Sequence, residues 1–85
     1  MLVEWNEQKN QWLIENRRVS FEEVEEIYSA GQYIQVIDHP NQKIILFTKD
    51  EYVYCAPFIE TEKGIFLKTI FPDRKRTKQY GGRNL

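Results

Sequence analysis

The segment that decides the fold covers residues 43–59 and reads KIILFTKDEYVYCAPFI. Its two runs, 43–48 and 52–59, are rich in β-branched and aromatic residues, which favour β-strands. The short polar link Lys49-Asp50-Glu51 between them predicts an antiparallel hairpin, because a parallel crossover needs many more residues. Pro57 cannot donate a backbone hydrogen bond, so it indicates a sheet edge, a bulge or an earlier strand end.

The same strand-like composition recurs on both sides of this hairpin. Residues 33–38 and 65–71 are again rich in β-branched and aromatic residues, and short polar links at 39–42 and 60–64 join them to the hairpin. The sequence therefore predicts a four-stranded antiparallel sheet, followed after Pro72 by a short basic helix or tail.

A first helix is predicted over residues 7–16, after Asn6, which is a favourable helix cap. One side of it carries the apolar residues Trp5, Trp12 and Leu13. Lys9 projects into this apolar stripe, about 40° from Trp5 at 100° per residue. A lysine in that position either extends its ammonium past the rings to water or borders a cleft.

A second helix is predicted to start near Phe21, because Ser20 and Glu23 form a capping box, and to stop at Gly31. Its apolar face consists of Phe21, Val24, Ile27 and Tyr28, with Glu22, Glu23 and Glu26 pointing to solvent. The predicted order is two helices, a four-stranded sheet and a basic end. This order defines an α+β fold.

Length and composition predict one domain over residues 1–85, with a small core and a frayed end at 81–85. An aromatic content of 14% argues against disorder. No apolar run approaches the roughly 20 residues that cross a bilayer, and the first residues lack a secretion signal. The single cysteine, Cys55, is expected to be a small core residue. These features predict a cytoplasmic protein without membrane contact.

The charge is distributed unevenly along the chain. Residues 1–30 carry a net charge of −4, residues 31–62 carry −3, and residues 63–85 carry +6. Four cations fall within five positions after Pro72, namely Arg74, Lys75, Arg76 and Lys78. Such a positive pole can attract polyphosphate or an acidic segment of a partner, although a basic tail can equally serve solubility.

Lys68 and His39 are further candidates for chemistry. Lys68 interrupts an apolar run and, by strand alternation, shares a face with Phe66 and Ile70. It can lie on a functional face or protect an edge strand from aggregation. His39 can act as an acid or base, because imidazole titrates near neutral pH, although a histidine beside Pro40 is more often structural. One histidine and one cysteine cannot form a His/Cys zinc site.

The N-terminal half resembles BrnT-type toxins of bacterial toxin–antitoxin pairs. The resemblance lies in Trp5-Asn6-Glu7-Gln8-Lys9 and Val19-Ser20-Phe21-Glu22-Glu23, with the family's spacing from the tryptophan to the valine. The basic end, residues 71–78, matches the family's closing motif more weakly. The resemblance implies a reduced RelE-like fold, a small antiparallel sheet with helices on one side. It also implies a ribonuclease that halts translation and is neutralised by an antitoxin with a ribbon-helix-helix DNA-binding domain.

By this resemblance Lys9 and Arg74 take the places of residues implicated in activity, with no cofactor or metal. Metal-free RNA cleavage needs the 2′-hydroxyl to attack the adjacent phosphate while cations stabilise its charge. Arg74 offers a planar fork for phosphate, and Lys9 can stabilise the same charge or act as a base. The RNA, free or on a ribosome, is expected to contact Lys68, Lys75, Arg76 and Lys78, and to stack on Tyr54 or Tyr80.

Several positions depart from the family pattern. Leu13 stands where the family has asparagine, Arg17-Arg18 replace His-Gly, and Thr69 occupies the place of a strand arginine. These departures keep a second hypothesis open, a non-catalytic module of the same fold that docks RNA or an antitoxin-like protein. A third hypothesis is a housekeeping domain without a paired partner.

Overall fold

A computed structural model describes residues 1–80 of the chain, so the predicted frayed end at 81–85 lies outside the described residues. The elements in chain order are β1 (Leu2–Glu4), α1 (Glu7–Arg17), α2 (Phe21–Ala30), β2 (Gln35–Asp38), β3 (Lys43–Lys49), β4 (Tyr52–Glu60), β5 (Gly64–Leu67), β6 (Phe71–Pro72) and α3 (Arg74–Gln79). The predicted α+β class is confirmed. Within the described residues, no helix is long and apolar enough to cross a membrane.

The sheet differs from the predicted layout in having six strands and mixed direction. Its order is β1-β5-β4-β3-β2, with β6 paired to β4, and β1 lies parallel to β5. The prediction of a purely antiparallel, four-stranded sheet that follows the helices was therefore wrong in these respects. Three residues are too few for an unambiguous strand pattern, and β1 exists because it adds to an edge formed by residues 62 positions later.

The predicted strand over 65–71 is broken by a β-bulge. Phe58 pairs with Leu67 and Cys55 pairs with Phe71, so two residues of β4 face three residues, 68–70, of the opposite chain. The bulge lies opposite Pro57, whose carbonyl accepts a hydrogen bond from the Lys68 N–H at 2.9 Å. Of the three readings that the sequence left open for this proline, the structure selects the bulge.

The bulge changes which residues share a face. Phe66 is the partner of Ile59, whereas Ile70 is buried in the core beneath α1 and α2, together with Leu67. The extra residue resets the alternation, so the prediction that Lys68 shares one face with both Phe66 and Ile70 was wrong.

The sheet is covered on both faces. α1 and α2 pack on one face, here the helix face, over the core residues Leu13, Val19, Phe21, Val24, Ile45, Phe47, Ala56, Phe58, Ile65, Leu67 and Ile70. α3 lies over the opposite face, where Ile44, Leu46, Val53 and Cys55 are buried and the Tyr80 hydroxyl reaches Gln35 Oε1 at 3.1 Å. The implied arrangement, with helices on one side of the sheet, was therefore wrong for α3.

The predicted helix caps are confirmed. Asn6 Oδ1 accepts from the Lys9 N–H at 2.9 Å, and Ser20 and Glu23 form the capping box. α2 ends at Gly31, whose φ of 69° lies in the left-handed region that glycine tolerates well. Phe21 and Val24 form the buried part of the α2 face, as expected.

The buried face of α1 differs from the predicted stripe. The buried residues are Asn10 and Leu13, whereas Trp12 is exposed. Asn10 Oδ1 accepts from the Phe21 N–H at 2.8 Å, and its Nδ2 donates to Glu22 Oε1 at 2.7 Å. Because this polar residue joins the two helices, hydrophobic periodicity does not reveal the face on which α1 packs.

Gly64 allows β1 to join the sheet. A Cβ at this position would stand 2.0 Å from the Leu2 carbonyl oxygen, in the strand partner itself. Gly64→Ala is therefore expected to displace β1 and to lower the free energy of unfolding by about 1–3 kcal/mol, which urea denaturation measures. Glu62→Ala, an exposed change in the same turn, should alter it by less than about 0.5 kcal/mol. Equal stability of the two variants would contradict the tight approach of β1.

Candidate nucleic-acid interface

Arg74 lies in a cleft of about 350 Å³ that is also lined by Tyr52, Tyr54 and Pro72, here called the arginine cleft. Tyr52 and Tyr54 alternate along β4 onto the helix face, and Pro72 pairs with Tyr54 across the β4–β6 ladder. The Tyr54 ring stacks on Phe47, with 5.6 Å between ring centroids. The cleft thus combines two phenol rings with the planar cation that begins α3.

The start of α3 is fixed by Asp73. Its Oδ1 accepts from the Arg76 N–H at 2.9 Å, and its Oδ2 accepts from the Arg76 guanidinium at 2.8 Å. These bonds, the backbone bond foremost, hold the pKa of Asp73 below its ordinary value. Arg76 is thus engaged by a carboxylate, whereas no ion pair among residues 1–80 involves Arg74. The Arg74 guanidinium is therefore available to bind a phosphate.

The beginning of β4 is hydrogen-bonded to α3 and to its cap. The Val53 N–H donates to Thr77 Oγ1 at 2.9 Å, and the Val53 carbonyl accepts from the Asp73 N–H at 2.8 Å. Cys55 is buried as predicted, and its thiol lies 3.5 Å from Asp73 Oδ2. Burial, followed by the nearby Asp73 carboxylate, raises the pKa of Cys55 to about 11. A thiol with so high a pKa remains protonated at neutral pH, so Cys55 serves packing rather than nucleophilic chemistry.

The C-terminal end of α1 brings further cations towards the arginine cleft. Arg17 Nη1 donates to the Ile70 carbonyl at 2.5 Å, two residues before Pro72. Lys49, which pairs with Tyr52 across the hairpin, donates to the Arg18 carbonyl at 2.5 Å. Arg17 is thus bonded two residues before one cleft-lining residue, Pro72, and Lys49 is the strand partner of another, Tyr52.

Glu23 does not simply point to solvent, as the sequence predicted. It accepts from Lys49 Nζ at 2.6 Å while its other oxygen completes the capping box. Partial burial opposes its ionisation, but the hydrogen bonds from Lys49 and Ser20 outweigh burial and lower the pKa of Glu23. The pair ties α2 to the end of β3 beside the cleft.

Lys9 lies on α1 and faces a tryptophan. It is half-buried, and its Nζ stands 4.4 Å from the centroid of the Trp12 ring. Among the described residues, no hydrogen bond or ion pair joins Lys9 to Arg74. The structure therefore places the two residues implied by the family resemblance in different local settings.

Lys68 and His39 lie at another part of the sheet. Lys68 Nζ donates to Gln42 Oε1 at 2.9 Å, and Gln42 and His39 both line a second cleft of about 230 Å³. The His39 N–H donates to the Gln42 carbonyl at 2.9 Å, which closes the turn between β2 and β3. These two candidates are thus grouped with each other and not with the lining of the arginine cleft.

The remaining candidates lie on or after α3. Lys75 and Lys78 are exposed, and Tyr80 follows the helix with its hydroxyl bonded to Gln35. Tyr52 and Arg17 were not among the predicted site residues. The alternation of Tyr52 with Tyr54 could have indicated the first, whereas Arg17 depends on the docking of α1 against residue 70, which no local pattern encodes.

Within residues 1–80, no cluster of three or more His, Cys, Asp and Glu side chains is placed to hold a metal ion. The chain matches no protein-family model, no curated protein and no solved structure. The relation to BrnT-type toxins therefore stays a prediction from the residues quoted above.

Proposed function

We propose that this protein is a metal-independent endoribonuclease of the toxin type, with the arginine cleft as its RNA-binding site. The observation that carries the proposal is that Arg74, which forms no ion pair among residues 1–80, shares one cleft with Tyr52 and Tyr54. Arginine forms bidentate bonds to phosphate, and aromatic rings stack on exposed bases of single-stranded RNA. This cleft therefore offers both contacts that a nucleotide of single-stranded RNA requires.

The surrounding charge supports the same substrate. Lys75 and Lys78 are exposed on α3, and Arg17 bonds to the Ile70 carbonyl two residues before Pro72. A polyanion gains from several such contacts together, because each neutralised phosphate releases counterions. Single-stranded RNA can thus follow the basic surface while one nucleotide occupies the cleft.

The chemistry proposed is attack by a 2′-oxygen on the adjacent phosphorus, with departure of the 5′-oxygen of the next nucleotide. The 2′-hydroxyl loses its proton to a water molecule as it attacks, and the 5′-oxygen gains a proton as it leaves, after which water reprotonates the proton donor. Arg74 stabilises the charge that gathers on the phosphoryl oxygens, and the phenol of Tyr52 or Tyr54 can supply the proton to the leaving group. We expect slow turnover, since the lining of the cleft contains no carboxylate or imidazole to serve as a strong base.

In the cell, such an enzyme needs an inhibitor. By the family resemblance, we propose an antitoxin with a ribbon-helix-helix DNA-binding domain. RNA presented on a ribosome is included in the proposal, because a slow enzyme gains from a substrate that is held in a cleavable geometry.

A second candidate function is a non-catalytic module that binds RNA or an antitoxin-like protein. One observation favours it: Lys9 lies over Trp12, and no hydrogen bond or ion pair among residues 1–80 connects it to Arg74. If Lys9 does not reach the phosphate, the cleft retains binding groups but loses one of the two expected cations.

Induced expression in bacteria tests the proposal, with growth and total RNA integrity followed together. Wild-type protein is expected to arrest growth and fragment RNA, and the Lys9→Ala/Arg74→Ala variant is expected to do neither while remaining folded. Normal growth with intact RNA, from folded wild-type protein, would instead favour the binding module. Arrest that persists in the double variant would disprove the roles given to Lys9 and Arg74.

A further inference from the structure

The two tryptophans of this chain have different environments. Trp5 is half-buried and stacks on Phe21, with 5.7 Å between ring centroids, so it contributes to the core. Trp12 is 43% exposed on α1. Trp12 therefore presents part of a large aromatic side chain at the surface of α1, where it can contact a ligand.

Two cations stand against the exposed ring. Lys9 Nζ lies 4.4 Å and the Arg17 guanidinium carbon 4.9 Å from the Trp12 ring centroid. Both distances are within the range of cation–π attraction, which holds the charges over the ring. Among residues 1–80, no carboxylate forms an ion pair with Lys9 or Arg17. The surface formed by Lys9, Trp12 and Arg17, here called the tryptophan platform, thus carries two cations that form no ion pair with the described residues.

The tryptophan platform adjoins the arginine cleft. Arg17 bonds to the Ile70 carbonyl, and Pro72, which lines the cleft, is only two residues further along the chain. Two residues of extended chain span at most about 7 Å. A strand that occupies the arginine cleft can therefore reach the platform if it runs towards Arg17.

We propose that the tryptophan platform is a second nucleotide subsite, where a base of single-stranded RNA displaces the Lys9 ammonium from the Trp12 ring and stacks there, while Lys9 and Arg17 hold its phosphates. This inference rests on the proposed function, since it extends the same RNA path. It also gives Lys9 a binding role at a distance from the reacting phosphate, which accounts for its position over the tryptophan. Base stacking tolerates any sequence, so the subsite would add affinity rather than sequence preference.

An acidic protein segment is the main rival ligand, because it would also seek cations and an apolar ring. RNA is favoured because the arginine cleft repeats the same combination of aromatic rings and a cation that forms no ion pair within the described part of the chain. A strand of alternating bases and phosphates matches two such sites in succession, whereas a run of carboxylates makes no use of aromatic faces.

The test uses the purified full chain and a labelled RNA decamer of mixed sequence with 2′-O-methyl groups, which prevent cleavage. Fluorescence anisotropy is expected to show that Trp12→Leu weakens binding about tenfold or more, and Trp12→Phe by less, because a smaller ring remains. Ile14→Ala is the matched control, since Ile14 is an equally exposed apolar residue of α1 at 40%. Its affinity should equal that of the wild type.

A second measurement does not depend on removing the ring. In a Trp5→Phe background Trp12 is the sole tryptophan, and its emission should be quenched as the decamer binds. Decamer binding with unchanged emission, and with equal affinity in Trp12→Leu, would overturn the platform while leaving the arginine cleft intact. Stronger quenching by a decaglutamate peptide than by RNA would overturn it in favour of a protein ligand. No binding of the decamer by folded wild-type protein would overturn the proposed function and this inference together.

Discussion

Replacing Arg74 with alanine is expected to reduce RNA cleavage by at least about a hundredfold, because preorganised donors at a developing charge are worth that much. The affinity for RNA should fall less, by about tenfold, since one charge-assisted contact is lost from a longer basic surface. Arg74 begins α3 and has no ion-pair partner among the described residues, so its removal leaves the core and the Asp73–Arg76 pair intact. Purified protein and a 2′-hydroxyl RNA oligomer measure both quantities.

Two further variants sharpen this experiment. Arg74→Lys keeps the charge but loses the planar fork, so we expect most of the affinity and only part of the cleavage rate to remain. Lys63→Ala removes an equal charge from the turn that leads into β5, away from the cleft, and should behave like the wild type. If Lys63→Ala were as inactive as Arg74→Ala, total charge rather than the arginine cleft would be responsible for activity.

Asn10→Ala is expected to lower the free energy of unfolding by about 2–3 kcal/mol, the cost of leaving buried polar groups without partners. Asn10 is fully buried, and its side-chain oxygen accepts the Phe21 N–H, one of the first donors of α2 that no helical bond satisfies. Alanine would remove this acceptor and the donor to Glu22, and would leave a small cavity. Urea denaturation followed by circular dichroism gives the difference directly.

The neighbouring residue provides the control for this prediction. Gln11 is exposed and has a single long contact of 3.5 Å to Glu7, so Gln11→Ala should change the free energy of unfolding by less than about 0.5 kcal/mol. Equal stability of the two variants would mean that water satisfies the Phe21 N–H as well as Asn10 does, and that the link between α1 and α2 is not important for stability.

The α+β class, both helix caps and the central hairpin follow from short-range chemistry. Asn6, Ser20 with Glu23, and Gly31 each act within one helical turn, and the polar link after β3 acts within a two-residue loop. Such signals can be read from a few adjacent residues. The same reasoning failed for α1, because its packing depends on Asn10, which periodicity counts as polar.

For the candidate site, the sequence likewise predicted individual residues but not how they are grouped. Arg74 and Tyr54 were predicted as individual residues, but their grouping with Tyr52 depends on β6 pairing with β4. That pairing requires the bulge opposite Pro57, and the bulge also separates Phe66 from Ile70. Lys68 and His39 were predicted for the same function as Arg74, yet they line or adjoin another cleft.

What this chain encodes locally is therefore its helix ends, its hairpin and the uneven distribution of its charge. Contacts between residues that are distant in the sequence decide the rest. These contacts are the parallel pairing of β1 beside Gly64, the packing of α3 on the second face of the sheet, and the hydrogen bond from Arg17 to the Ile70 carbonyl. The physical reason is the separation along the chain over which each signal acts, because helix capping and strand alternation involve residues only one to four positions apart. The register of strands and the docking of helices instead depend on steric fit and on hydrogen bonds between residues up to 62 positions apart.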